Sequence, residues 1–93
     1  MSTVSNRIES LQNMLANEFK NAGELARAVS EYRAILATDS AYGPAYYHGG
    51  QALEKLNLLD EARAMYADGI VATGKSGDSH TRGELEAALS ILG

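Results

Sequence analysis

Apolar residues recur at steps of three and four along most of the chain, the spacing of one helical face. Ile8, Leu11, Leu15 and Phe19 form a first stripe, which predicts a helix over about 7–21 with that stripe buried. Leu25, Ala28, Val29, Tyr32, Ile35 and Leu36 predict a second over about 24–38. Tyr46, Gly50, Leu53 and Leu56 mark a third, and Ala62, Met65, Tyr66, Gly69 and Ile70 a fourth. Leu85, Leu89 and Leu92 mark a fifth, over about 79–92. No stretch alternates with the period of two that a half-buried strand needs, so the chain reads as all-α.

Between the stripes stand residues that start and stop helices. Pro44 suits a first helical turn, where its missing N–H costs nothing. Asn57 and the Ala22–Gly23 pair suit helix ends that need a left-handed residue. Asp60 is placed to cap the fourth helix, with Glu61 adding charge to its first turn. Asn6 with Glu9 is placed to open the first, after a short frayed end over 1–5. Gly74 reads as the end of the fourth helix, with Lys75 beside its negative terminus. A link over 75–79 then leads to Ser79 or Thr81 as cap of the fifth.

The chain also repeats itself. Shifted by 34 residues, Ala28 falls on Ala62, Tyr32 on Tyr66, Leu25 on Leu59, Leu36 on Ile70 and Phe19 on Leu53, while Gly23 falls on Asn57. That period and the helix–turn–helix unit resemble the tetratricopeptide repeat. The family places a small residue where its two helices cross most closely, matched by Gly50 and Ala62. It places an aromatic late in the second helix, matched by Tyr32 and Tyr66, and one early in the first, matched by Tyr46 alone. Gln12 replaces the first unit's aromatic, Ser40 the Pro that often follows the second helix, and Gly49 a usual Leu, which leaves room in the hairpin core. The whole chain is similar to small stand-alone bacterial tetratricopeptide proteins. The resemblance implies one domain over 1–93, with units at about 7–40 and 43–76. Beyond 76 a shift of 36 pairs Leu53 with Leu89 and Leu56 with Leu92, so 79–92 is expected to be a single capping helix.

Composition narrows the class of work. Ninety-three residues allow one small core. A net charge of −4 argues against a nucleic-acid or anionic-membrane partner. There is no Cys, hence neither disulfide nor thiolate metal site. The opening MSTVSNRIES has no apolar run of signal-peptide or membrane-span type, and a cytoplasmic location is the default expectation.

Candidate chemistry is sparse. Gly69, Gly74, Lys75 and Ser76 fit the phosphate-loop pattern, but that loop works only between a buried strand and a helix, and here it starts inside a helical stripe. His48 and His80 have no partner at metal-ligand spacing and read as surface residues. The acidic residues near helix starts answer to the helix dipole. No catalysis, cofactor or metal is expected.

In the family the first helices of successive units line a concave face, and the resemblance implies a groove that binds a protein or peptide. By register it would be lined by Asn13, Asn17, Lys20, Tyr47, Gln51, Glu54, Lys55 and His80, with Ser10 and Gly83 nearby. The adjacent amides of Asn13 and Asn17 suit a peptide backbone, and Tyr47 offers a rigid surface with a polar tip. The alternative is a structural module that pairs with a second copy. The first helix has no preceding neighbour, so Val4, Ile8, Leu11 and Met14, with Val29 and Ile35, are expected on an open apolar side.

Overall fold

A computed structural model describes residues 3–93, with side chains described from Ile8 onward. Five helices follow one another: α1 (Thr3–Asn21), α2 (Leu25–Thr38), α3 (Gly43–Lys55), α4 (Leu59–Ser76) and α5 (Ser79–Leu92). No strand occurs among the described residues. Each helix packs against the next, and α3 also touches α1 and α5, so it alone among the five meets all the others. The shortest dimension of the molecule is 18 Å, about two helix diameters. Among the described residues no helix is long and apolar enough to cross a membrane.

Three of the four turns close in one way. Gly23, Asn57 and Gly77 take left-handed backbone angles, with φ of 84°, 63° and 79°. The residue after each returns its N–H to a carbonyl five residues back: Glu24 to Phe19, Leu58 to Leu53 and Asp78 to Thr73. This closure satisfies carbonyls that a helix end leaves without partners. Gly74 is therefore not the stop expected from the sequence. The fourth helix runs through it, and the link to α5 shrinks to Gly77 and Asp78. Asp78, rather than Ser79 or Thr81, caps α5 by accepting from the Thr81 N–H at 3.2 Å. Asp60 does not cap α4; it sits within the first turn and pairs with Arg63 at 2.8 Å. At the other end α1 already includes Thr3, so Asn6 lies inside the helix rather than at its start, and Met1 and Ser2 lie outside the described residues.

The core forms around α3. One cluster gathers Val29, Tyr46, Ala52, Leu53, Ala62, Met65, Tyr66 and Leu85; a second gathers Ala16, Ala28, Tyr32, Ile35 and Ala45. Gly50 makes the closest approach. A Cβ there would stand 2.6 Å from Cδ1 of Tyr66 and closer still to Cε1, so the tyrosine ring occupies the space a side chain would need. The room expected at Gly49 is filled, because the flexible Met65 side chain reaches within 3.3 Å of a Cβ built there.

The orientation of α1 departs most from expectation. Ile8, Leu11 and Leu15, expected as a buried stripe, are 51%, 63% and 49% exposed, and Met14 is 62% exposed. The helix turns Ala16 inward instead, with Asn13, Asn17 and Lys20 half-buried beside it. Tyr32, fully buried, donates its hydroxyl to Asn17 Oδ1, which sets the helix rotation: the ring packs where only a small residue such as Ala16 fits. Val29 and Ile35 belong to the core, not to the open side. The Val4 side chain lies outside the described residues.

Candidate functional site: the concave face

The backbones of α1, α3 and α5 approach one another in succession, whereas those of α2 and α4 stay apart. The stack therefore curves with α1, α3 and α5 on its inner side. Along that side runs a polar network. Lys20 Nζ donates to Gln51 Oε1 at 3.0 Å and lies 3.1 Å from His48 Nδ1. The His48 ring stacks on Tyr32, centroids 6.1 Å apart, and meets the Tyr47 ring edge-on at 5.5 Å. Asn17, Lys20, Tyr47 and Gln51 are thus joined through two residues outside the groove lining expected from the sequence, His48 and Tyr32. Asn13 stands at the α1 edge of the network, and its buried Oδ1 has no hydrogen-bond partner among the described residues.

Charge in this network is constrained by burial. Desolvation first, then the neighbouring ammonium of Lys20, holds the His48 ring below its ordinary value, against a smaller upward pull from Gln51 and Glu84. A neutral His48 with Nδ1 unprotonated is the form that accepts from Lys20. Burial, then repulsion from Lys55, likewise lowers Lys20. Burial pushes the Tyr32 hydroxyl up to about 12. The surface position expected for His48 is not observed; the residue is half-buried. Because the unfolded chain takes up a proton at the ordinary histidine value of 6.5 and the folded chain only at lower pH, folding stability falls as pH drops below that value. Urea midpoints measured from pH 7.5 to pH 5 check this. A His48→Gln variant, which lacks the titrating ring, is expected to flatten that part of the profile.

Farther along, Tyr47, Gln51 and Glu54 of α3 face Glu84, Ala87, Ala88 and Ile91 of α5 across a hollow of about 350 Å³, with Tyr66 among its lining residues. The Tyr66 hydroxyl donates to Glu54 Oε2, and burial together with that carboxylate pushes its pKa well above the ordinary phenol value. Lys55, exposed, adjoins Gln51 and Glu54 in a neighbouring hollow of about 240 Å³. His80 does not line the groove; it is exposed and lies 3.7 Å from Glu84 one turn on. The α5 residues that line this hollow are Glu84, Ala87, Ala88 and Ile91, and His80 and Gly83 are not among them. A larger hollow, about 470 Å³, lies on the opposite side between α2 and α4, with Leu36, Tyr46 and Met65 in its lining and the Arg33–Glu61 pair, 3.2 Å, bridging the two helices.

Residues 69–76 are turns of α4, their amides committed to the helix, so no loop is there to cradle phosphate. Among the described residues no group of three His, Cys, Asp or Glu side chains is gathered to hold a metal.

No protein-family model matches the sequence, and no curated protein does. Solved structures do. A tetratricopeptide repeat domain protein from Salinibacter ruber, 28% identical, superposes in its solution structure with a TM-score of 0.85 over 90% of this chain and 85% of that one. A crystal structure under the same description gives 0.82 over 90% of this chain and 94% of that one, again at 28% identity. A protein from Bordetella parapertussis, 22% identical, shares the fold with a TM-score of 0.79 over 99% of this chain and 89% of that one.

Proposed function

We propose, from the premise that this chain folds as a tetratricopeptide-repeat domain, that it is a non-catalytic module binding an extended protein segment along its concave face. Helical-repeat modules of this fold generally serve protein–protein interaction. The observation that carries the concave face in particular is the joining of Lys20, Tyr47, His48 and Gln51 into one half-buried polar network that stops short of full pairing, with the Asn13 Oδ1 left over. A buried polar atom without a partner costs about 1–3 kcal/mol, so the α1 edge of this network carries an unmet hydrogen-bonding demand. Asn13, Asn17 and Lys20 would hold one stretch of the segment, Tyr47 and Gln51 the middle, and Glu54 and Lys55 the far side; His80 stands at the rim.

Photo-crosslinking in the source cell tests this. A crosslinker at Gln51 is expected to trap a partner, and one at Val71, exposed on α4, is not. Tyr47→Ala is expected to cut the yield from position 51 at least fivefold. Equal yields from both positions would move the working surface elsewhere.

A second reading has its own observation. Ile8, Leu11 and Leu15 lie at steps of three and four along the outer side of α1 and are about half exposed, with Met14 beside them. A seam of that spacing pairs helices in coiled-coil fashion, and the partner proposed here is α1 of a second copy. Sedimentation equilibrium is expected to show a dimer for the parent chain and a monomer for the Leu11→Glu, Leu15→Glu variant. A parent that remains monomeric at 100 micromolar (about 1 mg/ml for a chain of this size) rejects the dimer.

A further inference from the structure

We propose that the α3–α5 end of the concave groove receives a cationic side chain, the arginine or lysine of a bound segment. This inference rests on the concave-face reading and names the chemistry of one of its subsites.

The hollow there combines a mostly apolar lining with two carboxylates. Ala87, Ala88 and Ile91 form the α5 wall, and Tyr47 and Tyr66 bring aromatic rings. The two charged residues in the lining are both carboxylates, on opposite walls: Glu54 on α3 and Glu84 on α5. Glu54 is held in place because its Oε2 accepts from the buried Tyr66, which leaves Oε1 to meet an incoming donor. A side chain with a long apolar stem and a positive tip fits this surface, stem along alanines and rings, tip between carboxylates. A neutral side chain would gain no charge attraction from the two carboxylates, of which Glu84 alone has a basic partner among the described residues, the exposed His80, and an acidic one would be repelled.

Among the described residues, the arginines and lysines of α3, α4 and α5 and their neighbours Arg33 and Lys20 are engaged or placed elsewhere. Arg82 pairs with Glu86 at 3.6 Å, Arg63 with Asp60, and Arg33 with Glu61. Lys20 is turned to His48 and Gln51 on the α1 side. Lys55 borders the neighbouring hollow and is exposed. Repulsion between Lys20 and Lys55 marks that side of the groove as positive, so a ligand cation is directed toward α5 and the segment acquires a preferred direction.

The test uses isotope-labelled protein and three capped pentapeptides, alanine throughout except for a central arginine, citrulline or glutamate. Citrulline keeps the shape of arginine without its charge. The arginine peptide is expected to shift the amide signals of Gln51, Ala87 and Ala88 saturably. The citrulline peptide should bind at least fivefold more weakly, and the glutamate peptide should leave these signals unmoved. A Glu54→Gln, Glu84→Gln variant should lose at least fivefold in affinity for the arginine peptide and most of its salt dependence. The amide oxygen introduced at position 54 still accepts from Tyr66, so the melting temperature should stay within a few degrees of the parent. Equal affinity of arginine and citrulline peptides overturns the cation subsite and leaves the concave face standing. Absence of any saturable shift with the arginine peptide also overturns the subsite, and the concave face is then judged separately by the crosslinks from position 51.

Discussion

Gly50→Ala is expected to destabilise the protein by about 2 kcal/mol, the cost of overpacking less the better helix propensity of alanine. For a chain of this length that lowers the melting temperature by about 10 °C. The reason is geometric. The new methyl would stand 2.6 Å from both Cδ1 and Cζ of Tyr66 and nearer still to Cε1, against a fully buried ring whose hydroxyl is tied to Glu54. The ring cannot swing aside without giving up that bond and its place in the core. Gly49→Ala, one residue earlier in the same helix, supplies the control. Its methyl would meet the end of the Met65 side chain at 3.3 Å, and methionine yields easily. That variant is expected to match the parent or gain up to about 1 kcal/mol. Thermal melts of the two variants decide the matter, and equal destabilisation by both would refute this account of the α3–α4 crossing.

Leu85→Ala is the second large effect. Leu85 is the one large side chain that α5 buries completely, and it packs in the core cluster with Tyr46, its Cδ1 within 2.9 Å of a Cβ built at Gly69. Truncation of such a leucine costs about 3 kcal/mol. Much of the remaining α5 surface is exposed or half-exposed, so the loss falls on docking of that helix before it falls on α3 and α4. Hydrogen exchange is expected to show residues 79–92 losing protection while residues 45–53 retain theirs. The α3–α5 hollow would go with it, and arginine-peptide binding would weaken in parallel. If α5 kept the protection of the parent, its anchoring would have to come from elsewhere.

The helices themselves were legible because period and punctuation agreed. Asn57 and Gly23 stop helices where residue type alone indicates. Gly74 misled for a reason that lies in packing. Thr73 donates its hydroxyl back to the Gly69 carbonyl at 2.8 Å and buries its methyl under α3 near Gly43, which carries the helix past Gly74 to the next glycine. Two candidate glycines three residues apart look alike until their neighbours are known. The stripe on α1 shows a deeper limit. Its spacing established an amphipathic helix but not what lies against the apolar side, and a partner on α2, Tyr32, selected the Asn17 side instead. On the concave face, Tyr47, Gln51 and Glu54 came from the register of α3 alone. The α5 residues were missed although the shift of 36 that placed this helix puts His48 on Glu84 and Gln51 on Ala87. Applied to the groove as well as to the core, it would have added Ala87 and Ile91, from Gln51 and Lys55, but not Glu84 or Ala88, which answer to His48 and Ala52. His48 escaped notice because an isolated histidine carries no pattern, and its role comes from the adjacent Tyr47 together with Lys20 and Tyr32, both distant in sequence.

The central position of α3 bears on how the chain comes apart. In long arrays each unit answers only to its neighbours, and the ends melt ahead of the middle. Here every other helix leans on one thirteen-residue rod, so damage to that rod propagates in both directions at once. Refolding inherits the same dependence: α1 and α2 on one side and α4 and α5 on the other complete their packing only once that rod is in place between them.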